Sequence, residues 1–183
     1  MRTLVFLLEE PSAKAMLQGL LPRLLPDGIE LRFLVFEGKQ DLEKQLGKRL
    51  HGWRSPDSAF LILRDQDAGS CEPIKDRLAS ICRDSGHPEA VVRIACRELE
   101  SWYFGDLTAV EAGLGRTGLA QLSAKAKYRV PDEIVNPSDE LERLTGGEYQ
   151  KVAGSRAIGP HLDPARNTSR SFQVFLAGLQ RLI

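Results

Sequence analysis

Residues 60–67 read Phe-Leu-Ile-Leu-Arg-Asp-Gln-Asp, and this stretch restricts the fold more than any other. Four consecutive apolar residues, with Phe60 and Ile62 among them, describe a short strand buried on both faces. Strands of that kind belong inside parallel sheets covered by helices on each side. The run stops at two carboxylates in a D-x-D spacing, Asp65 and Asp67, and the turn-prone Ala68-Gly69-Ser70 follows. That layout leaves the acids at the carboxyl edge of a sheet, where open α/β folds bind ligands. Two anions one residue apart repel each other unless a cation or a proton is shared between them. As a bare motif D-x-D also fits an ordinary surface turn.

The rest of the chain repeats the layout. Leu4–Leu8 is a second apolar run and ends at Glu9-Glu10; Pro11-Ser12 then opens a helix with Ser12 as its N-cap. Leu17, Leu20, Leu21, Leu24 and Leu25 supply its apolar stripe, and Pro26-Asp27-Gly28 ends it. Ile29–Phe36 reads as a strand with Leu31, Phe33 and Val35 on one face and Leu34 and Phe36 on the other. Leu42, Leu46 and Leu50 mark a surface helix over residues 39–50. Pro73 suits the first turn of a third helix, whose apolar side is Leu78, Ile81 and Cys82. Ala90–Ala95 is the fourth strand. Strands alternating with helices in this way predict a doubly wound parallel α/β sheet of about four strands. If the acids after the first and third strands share a site, those strands are neighbours, which gives the order 2-1-3-4. Residues 1–105 form this core. Residues 106–183 are a helical extension packed on it, with a loop over 125–137, Ser138 capping residues 139–144, a helix across 149–162, and a last helix opened by Ser169 or Ser171.

Composition narrows the function classes. Lys plus Arg and Asp plus Glu are both 25, so no global basic field advertises nucleic acid, and any polyanion would need a local patch. Cys71, Cys82 and Cys96 are an odd number without ligand spacing, which points to reduced thiols in a cytoplasm over a disulfide scaffold or a zinc site. The N-terminus enters a strand directly, without a signal peptide, and no apolar stretch approaches the roughly 20 residues of a membrane span. A 183-residue chain with 42% hydrophobic and 27% charged residues is expected to be a cytoplasmic globular protein.

Acids therefore end three predicted parallel strands: Glu9/Glu10, Asp65/Asp67 and Glu98/Glu100. A few carboxylates suffice to hold Mg²⁺ (or Mn²⁺) while waters remain for a substrate, and such an ion activates water and neutralises phosphoryl charge. The competing reading places the same acids at the starts of the following helices, where the dipole favours them. On a helix Glu98 and Glu100 point about 200° apart, so only one faces the site. Glu100, flanking Trp102, is the inner candidate and Glu98 the reserve.

Taken in order, Glu9-Glu10-Pro11-Ser12, Asp65-Gln66-Asp67 and Arg97-Glu98-Leu99-Glu100-Ser101-Trp102 resemble the Toprim (topoisomerase–primase) superfamily. More narrowly, the chain is similar to a family of bacterial Toprim-like proteins carried as a domain of unknown function. Relatives of that family include the nuclease half of the overcoming-lysogenisation-defect (OLD) proteins. The resemblance runs nearly the whole length, through Ser169–Phe175. It implies a Mg²⁺-dependent nuclease, or a related phosphoryl-transfer enzyme acting on DNA or RNA, with Glu9 in the place of the catalytic Glu. Glu10 stands where a glycine is usual, which leaves two glutamates as candidates. Asp65 and Asp67 then hold the metal, Glu100 completes the acidic rim and Glu98 is a further ligand candidate. Related nucleases work with an ABC-type ATPase. This chain has no P-loop, so a separate ATPase and a role in phage defence are implied. The alternative is a non-catalytic Toprim-fold module that regulates an ATPase.

Other residues rank lower. His51, His87 and His161 lack ligand spacing, Cys71 reads as a packing residue, and Trp102, Tyr103 and Phe104 as core. Lys75, Lys151, Arg156, Arg166 and Arg170 suit phosphates and solvated helix faces equally.

Overall fold

The computed structural model describes residues 2–183. Among them four strands, β1 (Thr3–Leu8), β2 (Glu30–Val35), β3 (Ser58–Asp65) and β4 (Val91–Ala95), form one sheet in the order β2-β1-β3-β4. Every neighbouring pair is parallel, with Val5 opposite Phe60, Phe6 opposite Phe33 and Leu63 opposite Arg93. The fold is a doubly wound parallel α/β sheet.

Strand periodicity sorts the core into two. Leu4, Phe6, Leu8, Leu61 and Leu63 face one hydrophobic cluster, and Val5, Leu7, Phe60 and Ile62 face the other. Burying such side chains contributes about 1.5–3 kcal/mol each, so the two central strands anchor the molecule. The second cluster is closed by α2 (Lys39–His51) and α3 (Cys71–Asp84), through Leu42, Leu46, Leu50, Leu78 and Cys82. The first is covered by α1 (Pro11–Leu20) and by the later helices: α4 (Glu100–Phe104), α5 (Leu107–Leu114), α6 (Pro137–Leu144), α7 (Lys151–Ile158) and α8 (Arg170–Gln180). Trp102, Phe172 and Phe175 fill its centre, with ring centroids of Trp102 and Phe175 5.0 Å apart. No helix among the described residues is long and apolar enough to cross a membrane.

Several local expectations are corrected. Ser12 does not cap α1: Glu10 occupies the N-cap, Pro11 takes the first helical position, and the buried Ser12 hydroxyl has no partner. Ser138 does not cap α6 either, because Pro137 already starts that helix from Asn136. Within residues 125–137 the chain forms short 3₁₀ turns in place of an open loop, and α7 ends at Ile158, followed by a 3₁₀ turn at Gly159–His161. Val35 is exposed on the edge strand. Ser169 does cap α8, its oxygen accepting from the Phe172 amide at 3.2 Å.

Candidate active site

All three acidic pairs lie at or just after the carboxyl ends of neighbouring strands, β1, β3 and β4. Backbone bonding persists beyond the strands there: the Gln66 amide donates to the Ala95 carbonyl at 2.9 Å and the Asp67 amide to the Arg97 carbonyl at 2.8 Å. The Arg97 amide in turn donates to Gln66 Oε1 at 3.1 Å. Asp67 (φ 54°) and Arg97 (φ 64°) are both left-handed, a conformation costing roughly 1–3 kcal/mol for residues other than glycine. The two strained residues hold each other through these bonds and fix the D-x-D loop against the segment that leads to Glu98 and Glu100.

The acids fall into an inner and an outer group. Asp65, Glu10 and Glu100 make the inner one. Burial pushes the Asp65 carboxyl well above its ordinary range, the charges of Glu10, Glu100 and Glu9 push it further, and the Leu99 amide opposes this. Glu100 is fully buried and also raised, chiefly by burial; its Oε1 accepts from the Tyr149 hydroxyl at 2.7 Å, while Oε2 has no partner. Glu10 Oε1 is likewise buried and unpartnered. Lys151, at the start of α7, approaches Glu10 Oε2 at 3.7 Å. Burial alone lowers the Lys151 pKa, but Glu100, Glu10, Asp65 and Glu98 outweigh it, so the ammonium is held charged.

Glu9 and Asp67 form the outer group. Glu9 Oε2 accepts from the Asp65 amide at 3.0 Å and lies 3.9 Å from the Arg64 guanidinium. Its pKa is raised, first by burial and then by Asp67 and Glu10 against the lowering effects of the Asp65 amide and Arg64. Asp67 is engaged by Lys39 at 2.7 Å, and Arg64 is also paired with Glu43. Glu98 lies in a recess with Asp67, and its Oε2 accepts from the Ser138 amide at 2.9 Å at the start of α6.

One observation separates this edge from the rest of the molecule. Among the described residues, the buried side-chain polar atoms without a partner are Glu10 Oε1, Ser12 Oγ, Arg64 Nε, Glu100 Oε2 and Ser101 Oγ. All five belong to residues at, or shortly after, the carboxyl ends of β1, β3 and β4. Leaving a buried polar atom unpaired costs about 1–3 kcal/mol, so their concentration in one place calls for a reason.

The family model described as a domain of unknown function (DUF4276) matches residues 8–180. The chain belongs to the DUF4276 family. Among solved structures it is similar to the C-terminal region of the Burkholderia pseudomallei OLD protein, with 13% identity, 98% of each chain covered and a TM-score of 0.50. At that identity the likeness is one of fold. No curated protein matches the sequence.

Toprim-like folds usually bind Mg²⁺, and the donor chemistry of this DUF4276 chain suits it: hard carboxylate oxygens, two of them buried without partners. As placed, no three His, Cys, Asp or Glu side chains among the described residues stand close enough to share an ion. Sequence reasoning gave Lys151 no special standing and missed Tyr149 and Lys39, since only the fold brings α7 and α2 to this edge. Arg166, a candidate phosphate ligand by sequence, is instead bound to the buried Asp106 at 2.6 and 3.0 Å.

Proposed function

We propose that this edge is the active centre of a Mg²⁺- or Mn²⁺-dependent phosphodiesterase that cuts nucleic acid. The observation that carries the reading is the concentration of unpartnered buried polar atoms among acids already pushed toward neutrality. Asp65 and Asp67 would hold the metal, with Glu9 and Glu100 beside them; the ion supplies charge neutralisation at a phosphoryl group and a more acidic water. Glu9 suits a base role, because a raised carboxyl pKa improves proton abstraction near neutral pH. Its oxygen bonded to the Asp65 amide fixes its orientation. Glu10 sets the field around Asp65 and holds Lys151 near the site. The Lys151 ammonium is positioned to meet charge developing on a phosphate oxygen. Glu98 acts as a positioning residue through its bond to α6, outside the ligand set. The resemblance to OLD proteins supports a separately encoded ABC-type ATPase as partner and a part in phage defence.

The test is metal-dependent cleavage of labelled DNA and RNA by the purified chain beside Asp65→Asn. Cleavage that needs Mg²⁺ or Mn²⁺ and disappears in the variant is the expected result. In melts, saturating Mg²⁺ should stabilise the wild type by about 2.7 kcal/mol at a hundredfold excess over Kd, and the variant much less. Equal shifts in both proteins refute the metal assignment of Asp65. Metal binding without cleavage would favour the non-catalytic, ATPase-regulating reading.

A further inference from the structure

Next to the acids lies a cleft of about 600 Å³ whose lining includes Gln66, Arg97, Arg129, Thr168 and Arg170. Gln66 is the residue between the two aspartates. Arg97 also lines the adjoining recess of about 340 Å³ that contains Asp67 and Glu98, so the cleft opens directly beside the acids. In a chain with no net charge this is a local concentration of cations. Among the described residues, no carboxylate lies within ion-pair distance of Arg97, Arg129 or Arg170.

The acids that share the cleft do not supply the missing partners. Asp132 is occupied: Ser169 Oγ donates to its Oδ1 at 2.6 Å and the Ser171 amide to its Oδ2 at 2.7 Å. Glu133 makes no ion pair with the three arginines. The backbone of Arg97 is held by its bonds to Gln66 and Asp67, so its side chain springs from a fixed base. Val130 lines the same cleft and is 50% exposed; Val135 lines the adjoining recess and is 69% exposed. Unpaired arginines flanked by exposed apolar side chains are the features by which single strands are held, the backbone by charge and the bases by apolar faces.

We infer that this cleft is a phosphate-binding track for a single nucleic-acid strand, seating the phosphodiesters next to the one at the acids. This rests on the nucleic-acid reading of the acid site for its ligand class and adds the strand form and the path. Arg97 reaches the phosphate nearest the acids, and Arg129 and Arg170 reach those further along. Val130 and Val135 can cover base faces only where those faces are unstacked, which makes single strands the preferred ligand over duplex.

Binding is measured in EDTA by anisotropy of labelled single-stranded oligo-dT and oligo-rU, so that no cleavage is required. Arg129→Gln/Arg170→Gln is compared with Arg54→Gln/Arg181→Gln, which removes the same charge near the opposite sheet edge. The cleft double should weaken binding about tenfold and flatten the plot of log K against log[salt] by about 0.7 for each phosphate it no longer neutralises. The control double should do neither. Equal weakening by both doubles, an unchanged salt slope, tighter binding of duplex than of single strands, or no binding by the wild type overturns the track. A wild type that cuts while the cleft double binds normally removes the track and leaves the nuclease reading intact. A wild type that binds through these arginines and never cuts does the reverse. The dT and rU arms report which sugar the track takes.

Discussion

Two regions of this molecule bury carboxylates, and they treat them in opposite ways. At the start of α5, Asp106 is enclosed and accepts four hydrogen bonds: from the Ala109 and Asp163 amides at 3.1 and 2.9 Å, and from Arg166 Nε and Nη2 at 2.6 and 3.0 Å. At the strand ends Glu100 is equally enclosed, yet one of its oxygens accepts only from Tyr149 and the other from nothing. The same chain therefore contains a buried acid whose needs are fully met and a set whose needs are not. Among the described residues, unsatisfied buried acids are a property of the strand ends alone. That is the pattern of a site whose strain serves a function, where stability is given up locally.

The largest effect that can break this comparison is on stability. Asp106→Ala removes a helix cap, orphans the Asp163 amide and leaves Arg166 without its partner. A loss of about 3 kcal/mol follows, discounted for the partial exposure of Arg166. For a chain of this size that lowers the melting midpoint by roughly 10 °C. Asp65→Asn, measured in EDTA, should hold or raise the midpoint, because it removes a charge from a repelling group. Equal losses at both positions would mean that Asp65 is a structural acid like Asp106.

How far each region could be read from the chain depends on sequence distance. The strands were legible because Leu4–Leu8 and Phe60–Leu63 are unbroken apolar runs, and their order followed from acids at the ends of the first and third. Helix starts were less so: Ser12 and Ser138 look like caps, but a proline immediately before each had already begun the helix. Glu98 and Glu100 part because α4 begins at Glu100, which leaves Glu98 in the loop before it, bonded to the Ser138 amide. Partners supplied from afar left no local mark. Tyr149 reaches Glu100 across 49 residues and Arg166 reaches Asp106 across 60, and nothing in the intervening sequence encodes either bond. The Asp106–Arg166 pair was invisible for the same reason that Lys151 was unremarkable.

Acidity gives a second, smaller contrast. The folded pKa of Asp65 lies above its unfolded value near 3.8, through burial first and then its acidic neighbours. Its protonation therefore favours the fold: that contribution is fully present below the unfolded pKa and is lost as pH rises through the folded one. Glu140 has the opposite sign. Burial raises it, but Arg143, Lys127 and Tyr128 outweigh that and bring it to about 2. Its contribution is present above its ordinary 4.5 and is lost as pH falls toward about 2. Between about pH 7 and pH 5 Glu140 is silent, so the wild type in EDTA should gain stability as pH drops across that window. Melts of Asp65→Asn over the same range should show a much flatter profile. A wild-type midpoint that falls steadily from about pH 7 to pH 5 would contradict the burial of a repelling acid group.

The smallest expected change in stability sharpens the comparison most within the site itself. Lys39 and Asp67 make a 2.7 Å pair, and both side chains are partly exposed. Solvent screening limits such a pair to about 0.5 kcal/mol, so Lys39→Met should barely move the melting midpoint. Its effect on metal should be larger. The ammonium occupies one of the two Asp67 oxygens, Oδ2, and a cation bound to Asp67 is repelled by it. Removing it should therefore tighten Mg²⁺ binding several-fold, read as a lower Mg²⁺ midpoint in thermal-shift titrations. The opposite outcome has an equally direct meaning. If Lys39→Met costs well over about 1 kcal/mol, beyond what an exposed pair supplies, while the Mg²⁺ midpoint stays where it was, Asp67 is a structural partner of α2, and the ligand set contracts to the inner acids.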